Sequence, residues 1–263
     1  MTSEELNNET IIKNISTNQK EILYNIMKLY NNGEPFDCDM TASTLKFYER
    51  NPGDKWIVPE PRILFDVCPQ MKFVHKIEPH MPLPLEDESI HSIVIDLPFV
   101  VSPPNCPSAL NKKKGSLVIY NRFSGFYPVS DLYSNYYHWI AEAYRVLDDG
   151  GICVFKCQST VSGGIEHSSE EYSFMCAQRV GFYTIDKFTL RAKSVLISAA
   201  KYNAQQHARK YTSSFYVFKK DRRFAKKVDY NKIITEEHKK YKEILENNPP
   251  KKIGNLCNYN PLY

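Results

Sequence analysis

The feature that most constrains the fold is the stretch of residues 92–99, Ser-Ile-Val-Ile-Asp-Leu-Pro-Phe. Its short apolar run with β-branched residues predicts a strand buried on both faces, as in the parallel sheet of an α/β protein. Ligands of such sheets bind beyond the carboxyl ends of the strands. Asp96 falls at that end, Pro98 lacks the N–H that would continue the ladder, and Phe99 offers a flat face just beyond. An isolated match would favour a simpler interpretation, an Asp that caps a turn and a Phe that returns to the core.

The flanking sequence decides against that simpler interpretation. Residues 61–66, Pro-Arg-Ile-Leu-Phe-Asp, predict a second buried strand that ends at Asp66, and residues 73–78 predict a third strand that ends at Glu78. Successive strand-end acids that lead into residues 96–99 are far more specific than any one of them.

Three segments carry a resemblance to a known family. Residues 96–99, Asp-Leu-Pro-Phe, are similar to the signature (Asp/Asn/Ser)-Pro-Pro-(Tyr/Phe/Trp), with Leu97 where proline is usual. Residues 83–90, Leu-Pro-Leu-Glu-Asp-Glu-Ser-Ile, resemble the approach to the fourth strand, and residues 144–158 resemble the Arg-Val-Leu-Lys-Pro-Gly-Gly junction of class I methyltransferases. The family is that of the S-adenosylmethionine-dependent amino-methyltransferases, which methylate an exocyclic base amine, most often adenine N6 or cytosine N4.

This resemblance implies an α/β fold, the Rossmann-like, seven-stranded, mostly parallel sheet of class I methyltransferases. We expect three parts: residues 1–33 as an N-terminal extension and helix, residues 34–220 as the methyltransferase domain, and residues 221–263 as a basic C-terminal tail. Residues 1–17 are expected to be loose. The fifth strand is predicted at residues 152–155, and the sixth and seventh, antiparallel strands at 182–190 and 213–218.

Helices are predicted from local signals. Asn18 and Glu21 form a capping-box pattern before a helix that extends to about residue 32, and Ser168 with Glu171 forms another. An apolar stripe predicts a helix that starts near residue 130 and ends at a glycine stop, Gly150-Gly151. A further helix is predicted over residues 235–246.

The resemblance also implies which residues hold the cofactor, S-adenosylmethionine. Asp37, Asp39 and Thr41 occupy the place of the first cofactor motif, Asp66 would bind the ribose hydroxyls, and Glu78 would meet the adenine amine. The first motif lacks glycine, although close backbone approach to a ligand usually requires it. Two interpretations of residues 34–48 therefore remain open: a cofactor-binding turn, or an Asx-type turn that leads into a helix.

Catalysis is expected from residues 96–99. Asp96 and the carbonyl of Leu97 would accept the two N–H groups of the target amine, Pro98 would hold the turn, and Phe99 would stack on the base. Leu97 in place of proline puts the rigidity of this turn in question, but the backbone carbonyl remains. No metal is required.

Basic, polar and aromatic residues near the same edge are candidates for nucleic-acid binding. They are Lys113 and Arg122 in the long connection 100–129, Lys156 and Gln158 after the fifth strand, and His207 and Arg209 in a later bridge. The alternative for each of these groups is ordinary solvated surface.

Composition narrows the classes of function. The chain of 263 residues is long enough for one α/β core, and 42% hydrophobic residues exclude global disorder. The net charge of +4 conceals a basic last third, including residues 219–227, which suits a polyanion but is more often a solvated surface. Seven cysteines, an odd number without a Cys-x-x-Cys pair, argue against a disulfide framework and a zinc site.

The remaining expectations concern location and substrate. The first ten residues lack the basic and apolar regions of a signal peptide, and no apolar run reaches membrane-spanning length, so a soluble, cytoplasmic protein is expected. The expected partner is nucleic acid, with DNA favoured over RNA and adenine N6 as the target. Two alternatives stay open: an RNA methyltransferase acting on adenine N6 or guanine N2, and a catalytically silent, methyltransferase-like binding subunit.

Overall fold

The computed structural model describes residues 11–99, 101, 128–162, 164–193, 207–208, 210–223 and 228–247. The chain divides into two compact units, residues 1–223 and residues 224–263. The first unit carries the sheet and three described helices. The second carries one described helix, Tyr230–Asn247, which begins five residues before the predicted start.

The first unit is built on one mixed sheet of eight strands. Along the chain they are β1 Ile15–Ser16, β2 Cys38–Asp39, β3 Ile63–Asp66, β4 His75–Lys76, β5 Ile90–Asp96, β6 Leu147–Cys157, β9 Tyr183–Arg191 and β10 Thr212–Lys219. A separate hairpin consists of β7 Thr160–Ser162 and β8 Ile165–His167. The order in the sheet is β1-β9-β10-β6-β5-β2-β3-β4.

The central strands are parallel and the seventh strand, β10, is antiparallel to them, as expected, whereas the sixth, β9, runs in the direction of the central strands because it is antiparallel to β10. β10 runs antiparallel to both β6 and β9, whereas β4, β3, β2, β5 and β6 pair in parallel. The six strands given ranges in the sequence analysis all form, and β2 is a seventh strand of the sheet. The Rossmann-like class I methyltransferase fold is confirmed.

The eighth strand, β1, corrects the expectation that residues 1–17 are loose. Ile15 and Ser16 pair in parallel with Thr189 and Leu190 of β9, and the Thr189 N–H donates to the carbonyl of Asn14 at 2.7 Å. A strand of two residues is too short to produce a periodic signal in the sequence, and its pairing depends on backbone groups.

Helix α1, Gln19–Tyr30, packs on one face of the sheet through Ile22, Leu23, Ile26 and Met27, all buried. Asn18 caps it as predicted, because its side chain accepts the N–H of Lys20 at 2.9 Å. Glu21 does not complete the expected capping box; its carboxylate accepts the Ser16 hydroxyl at 2.5 Å. The cap thereby ties β1 to α1.

Helices α2, Val129–Val146, and α3, Ser169–Val180, cover the opposite face. The predicted stripe of α2 is buried, from Leu132 and Tyr136 to Ile140 and Ala143. Gly181 ends α3 in a left-handed conformation at φ 116°, as expected from its position. No side-chain hydrogen bond from Ser168 caps α3, so that predicted capping box is wrong.

The predicted glycine stop of α2 is also wrong. α2 ends at Val146, and β6 begins at the next residue, so the two glycines lie inside the strand. A Cβ on Gly151 would lie 2.8 Å from the carbonyl oxygen of His91 and 2.9 Å from Asp148 Oδ1. Glycine is needed there because β5 and β6 approach closely, where the pairing between them shifts register.

The described helices include none that is long and apolar enough to cross a membrane. The core consists of two apolar layers, one on each side of the sheet. Polar side chains therefore concentrate at the strand ends. They form a carboxyl edge, where the parallel strands end, and an amino edge, where those strands begin.

Candidate active site

Three acids gather where parallel strands end. Asp39 ends β2, Asp66 ends β3 and Asp96 ends β5, and the strands lie side by side in the order β5-β2-β3. This carboxyl edge is where ligands bind in parallel sheets. Asp66 and Asp96 thus lie at this edge as the sequence predicts, together with Asp39, whereas Glu78 comes two residues after β4 and is exposed. Each of the three acids at the edge is used differently.

Asp96 is the most accessible of the three, with 26% of its side chain exposed. Its Oδ2 forms an ion pair with the Lys156 ammonium at 2.8 Å, and its backbone N–H donates to the hydroxyl of Thr41 at 2.7 Å. Within the described part of the chain, Oδ1 makes no hydrogen bond. The carboxylate is held at one oxygen and open at the other.

Asp39 supports the loop that contacts Asp96. Its Oδ1 accepts the backbone N–H and the hydroxyl of Thr41 at 2.7 and 3.0 Å, and its Oδ2 accepts the Tyr48 hydroxyl at 2.7 Å. Burial raises the pKa of Asp39 to about 6, against the opposing effect of these hydrogen bonds. Thr41 thus links the buried Asp39 to the backbone of Asp96.

The loop after β2 adopts a strained conformation that its sequence does not signal. Ser43 and Leu45 have positive φ angles of 46° and 59°, in the left-handed region that usually takes glycine. The Ser43 N–H donates to Asp66 at 2.8 Å, while the Ser43 hydroxyl is buried without a partner in the described structure. Strain of this kind persists where the surroundings fix it, often at ligand sites.

An open cavity of about 190 Å³ lies against this loop. Loop residues and Asp96 line most of it. The lining comprises Gln19, Thr41, Ala42, Ser43, Thr44, Lys46, Phe47 and Asp96. The loop that stands in place of the first cofactor motif and the expected catalytic carboxylate therefore share one cavity.

The residues present fit a polar ligand such as S-adenosylmethionine. Three hydroxyl side chains, those of Thr41, Ser43 and Thr44, belong to the cavity lining. The buried, unpaired Ser43 hydroxyl costs free energy, about 1–3 kcal/mol, until a ligand or another group satisfies it. Small side chains and hydroxyls here take the place of the glycines that the family motif would supply.

Asp66 and Glu78, expected at the ribose and adenine of the cofactor, do not line the cavity. Asp66 is 6% exposed and its two oxygens accept the N–H groups of Ser43 and Cys68 at 2.8 and 2.7 Å. Burial raises the pKa of Asp66, and those two hydrogen bonds oppose the shift. Glu78 is exposed and pairs with Lys76 at 2.6 Å. Asp66 therefore holds the cofactor loop in shape, and any contact of its own to the ribose remains a prediction.

Asp37 requires a correction. It precedes β2, and its carboxylate accepts the backbone N–H groups of His91 and Ser92 at 2.8 and 3.1 Å, where β5 begins. Arg62 contacts the other oxygen at 3.2 Å. Asp37 thus lies at the amino edge of the sheet and joins the starts of neighbouring strands, so its position does not support the expected role in cofactor binding.

The rest of the motif at residues 96–99 divides between core and surface. Leu97 is buried in the apolar layer beside α2 and α3, whereas Pro98 and Phe99 are partly exposed beyond the strand. The apolar side chain of Leu97 thus packs in the core. The backbone carbonyl of residue 97 is present whether the residue is leucine or the proline usual in the family. Phe99 is placed just beyond the strand end, as expected.

The residues expected to bind nucleic acid fall into three groups. Lys156 lies directly opposite Asp96 on the neighbouring strand, and its ammonium is paired with the Asp96 carboxylate. Gln158 is partly exposed just beyond β6, and His207 is exposed near β10. Lys113, Arg122 and Arg209 lie outside the described residues.

Two described members of the basic run after β10, Lys220 and Arg222, lie at the other edge and bind groups of the protein itself. Lys220 is 2% exposed, and its ammonium donates to the carbonyls of Tyr144 and Leu147 at 2.7 and 2.6 Å. Arg222 pairs with Glu88. The contacts of these two cationic side chains are within the protein. They therefore do not support the expected attraction of a polyanion.

Several residues that line the cavity were not predicted from the sequence. Gln19, Lys46 and Phe47 line the cavity although no motif marks them, because α1 and the loop converge on the strand end only in three dimensions. Among the hydroxyl residues 41, 43 and 44, the sequence marked only Thr41 as a cofactor candidate; the left-handed conformation of Ser43 is visible only in the structure. No group of three or more His, Cys, Asp or Glu side chains in the described ranges could hold a metal ion.

Comparison with known proteins addresses the family. Residues 90–259, well over half of the chain, match the model of the N6/N4 methyltransferase family, described as DNA methylase. No curated protein sequence matches significantly.

Solved structures offer weaker similarities. A protein from Thermus thermophilus, assigned as a DNA modification methylase, is 13% identical over 56% of this chain and 51% of its own, with a TM-score of 0.33. Its complex with S-adenosyl-L-methionine is 14% identical, over the same shares, with a TM-score of 0.32. A methyltransferase assigned in Thermoplasma acidophilum is 9% identical over 80% of this chain and 67% of its own, with a TM-score of 0.31. The alignment thus spans about half the length of the Thermus protein.

Fold, strand-end acids and the match together define a class I methyltransferase domain. The chain belongs to the N6/N4 DNA methylase family. The predicted resemblance to the S-adenosylmethionine-dependent amino-methyltransferases is confirmed.

Proposed function

We propose that this protein transfers a methyl group from S-adenosylmethionine to an exocyclic base amine in nucleic acid, with adenine N6 of DNA as the favoured target. The observation that carries the proposal is the half-open Asp96 carboxylate in the wall of the cavity formed by the loop after β2. A carboxylate acceptor and a cofactor loop in one cavity are the two parts that this chemistry needs.

The chemistry requires an acceptor because an exocyclic amine is a poor nucleophile, with its lone pair delocalised into the ring. Asp96 Oδ1, open within the described structure, accepts one N–H of the target amine. The carbonyl of Leu97 accepts the other N–H, which favours the pyramidal nitrogen that attacks. Orientation and fixed charge, rather than a covalent intermediate, supply the rate enhancement.

S-adenosylmethionine, when bound, would supply an electrophilic methyl group on a sulfonium, with the C–S bond broken as the N–C bond forms, the neutral thioether as the leaving group, and the surplus amine proton passed to Asp96 or to solvent. Thr41, Ser43 and Thr44 would hold its polar groups through their hydroxyls, and Asp39 keeps Thr41 in place. Asp66 and Glu78 remain proposed contacts to the ribose and the adenine. Each carboxylate would accept hydrogen bonds through the lone pairs that its present partners do not use.

The family and the accessibility of the target amine support the choice of polymer. A base inside a duplex cannot present its amine to Asp96, so a DNA target would be flipped out and stacked against Phe99. Membership in the DNA methylase family supports DNA, and it is equally compatible with cytosine N4. An unpaired base in RNA would reach the same carboxylate without flipping.

The test is methyl transfer from S-adenosylmethionine with a labelled methyl group to unmethylated DNA and, separately, to RNA. Mass spectrometry of the nucleosides identifies the modified base. We expect N6-methyladenine in DNA, and a rate for Asp96→Ala that is lower on the order of 10²-fold or more. Calorimetric titration of the cofactor runs beside each assay, and the variant should still bind it.

The assay separates the alternatives. Formation of N4-methylcytosine would show that cytosine is the target base and would leave the mechanism unchanged. Labelled methyl groups in RNA alone would show that RNA is the substrate polymer. A wild-type protein that binds the cofactor and methylates neither polymer would contradict the proposal and favour the silent binding subunit. Full activity of Asp96→Ala would contradict the mechanism.

A further inference from the structure

Lys156 occupies an unusual position for a residue expected to touch substrate. It lies on β6, directly opposite Asp96 of β5 in the sheet, and its ammonium is 2.8 Å from Asp96 Oδ2. Only 13% of its side chain is exposed. A lysine so enclosed has little surface left for a nucleic-acid contact.

Two aromatic rings complete the enclosure. The Lys156 ammonium lies 5.3 Å from the centre of the Phe47 ring and 5.6 Å from that of Phe215. Phe215 is the neighbour of Lys156 on β10, and Phe47 comes from the loop that lines the cavity. Cation–π attraction of this kind is worth most where the cation is removed from water. The ammonium is thus fixed by three elements: β5, β10 and the cofactor loop.

The contact leaves the Asp96 carboxylate asymmetric. Oδ2 faces the ammonium, and Oδ1 has no hydrogen bond within the described residues. A carboxylate held at one oxygen has lost its freedom to rotate. Its open oxygen is then presented in a constant direction, which is what a weak nucleophile with a defined line of attack requires.

We propose that Lys156 is a positioning residue for methyl transfer: it fixes the Asp96 carboxylate through Oδ2, so that Oδ1 points at the target amine. This inference rests on the proposed function. It replaces the sequence-based expectation that Lys156 contacts the nucleic acid. The rings of Phe47 and Phe215 keep the ammonium in place while the substrate enters and leaves.

The test compares two substitutions at this position. Lys156→Met keeps an unbranched apolar side chain between the rings and removes the charge, whereas Lys156→Arg keeps the charge. We expect Lys156→Met to lower kcat between about 10- and 100-fold, the range for a displaced reacting group, with the KM for DNA and the affinity for S-adenosylmethionine nearly unchanged. Lys156→Arg should recover most of the loss.

Lys187 provides a matched control. It lies on β9, pairs with Glu170 at 2.9 Å and stands 5.2 Å from the centre of the Tyr216 ring, so it repeats the chemistry of Lys156 away from Asp96. Lys187→Met should therefore leave kcat unchanged. An equal fall in kcat for both lysine variants would assign the effect to general loss of structure and overturn the inference.

A double-mutant cycle with Asp96→Ala tests whether Lys156 acts through the carboxylate. If it does, Lys156→Met should cause no further loss of rate once Asp96 is alanine. Losses that multiply, or a raised KM for DNA with unchanged kcat, would show a direct substrate contact and overturn the positioning role. An active wild type with an equally active Lys156→Met variant would refute this inference alone. An inactive wild type would refute the proposed function and this inference with it.

Discussion

The two edges of the sheet treat their polar side chains in opposite ways. At the carboxyl edge, within the described structure, Asp96 keeps one oxygen open and the Ser43 hydroxyl is buried and unpaired. Ser43 and Leu45 are held there in left-handed conformations. Each of these features costs stability in the absence of a ligand. These are the features expected of an edge that binds a ligand.

At the amino edge, the charged side chains have partners within the protein. Asp37 accepts two backbone N–H groups of β5 and contacts Arg62. Lys220 donates to two carbonyls at the end of α2, where a cation also complements the helix dipole. The charges here are satisfied within the protein.

An acid at a strand end therefore indicates a function only once the edge on which it lies is known. Asp37 and Asp39 lie two residues apart, yet the first joins strand starts and the second supports the loop after β2 that lines the cavity. Substitutions at the amino edge should therefore change the free energy of unfolding, and substitutions at the carboxyl edge should change chemistry or ligand binding.

The largest effect on stability is expected from Lys220→Met at the amino edge. The change removes an ammonium that serves the carbonyls of Tyr144 and Leu147 and leaves Glu88 without one partner. Breaking a buried arrangement of this kind costs about 3–5 kcal/mol. Chemical denaturation measures the loss, with the adjacent and more exposed Lys219→Met as a control that should change little. A loss below about 1 kcal/mol would contradict the comparison.

The next effect is a pH dependence that comes from Asp39. Its pKa is about 6 in the folded protein against an ordinary value of 3.8, so the folded state binds the proton more tightly. The associated stability is fully present below about pH 4 and is lost as the pH rises through 6, by up to about 3 kcal/mol. In Asp39→Asn this loss should disappear, so the variant should gain stability relative to wild type between pH 4 and 6. An unchanged difference across that range would refute the shift.

Gly151→Ala should give a smaller loss at the amino edge. The added Cβ would lie 2.8 Å from the backbone oxygen of His91, so β5 and β6 must move apart. We expect about 1–3 kcal/mol of destabilisation in thermal or chemical unfolding, the usual range for overpacking. Cofactor affinity should not change. A variant as stable as wild type would show that the strands separate easily there.

Ser43→Ala should give the smallest effect and the opposite sign. Without ligand, removal of a buried, unpaired hydroxyl should leave the protein equally stable or stabilise it by about 1 kcal/mol. Calorimetry should show weaker binding of S-adenosylmethionine. Thr184→Ala is a matched control, because its hydroxyl is also buried and unpaired in the described structure but does not line the cavity. Equal cofactor binding by Ser43→Ala and wild type would separate the hydroxyl from the ligand.

Sequence patterns were sufficient for most strands of the sheet, although not for β1, and for the place of Asp96, because a β-branched run that meets an acid and a proline defines a strand end. They could not locate the Lys156 ion pair, which depends on the register between β5 and β6. They gave no sign of the left-handed Ser43, since the local sequence contains no glycine. They misplaced Gly150 and Gly151, because a glycine pair is typical both of a helix end and of two strands in close approach.

The central claim is that chemistry belongs to the carboxyl edge and stability to the amino edge. Its most direct test is the rate of methyl transfer to DNA, measured with the isosteric variants Asp96→Asn and Asp37→Asn at equal concentrations of folded protein. The account predicts a loss on the order of 10²-fold for Asp96→Asn and a near wild-type rate for Asp37→Asn. A wild-type rate in Asp96→Asn, or an equal loss in Asp37→Asn, would contradict it.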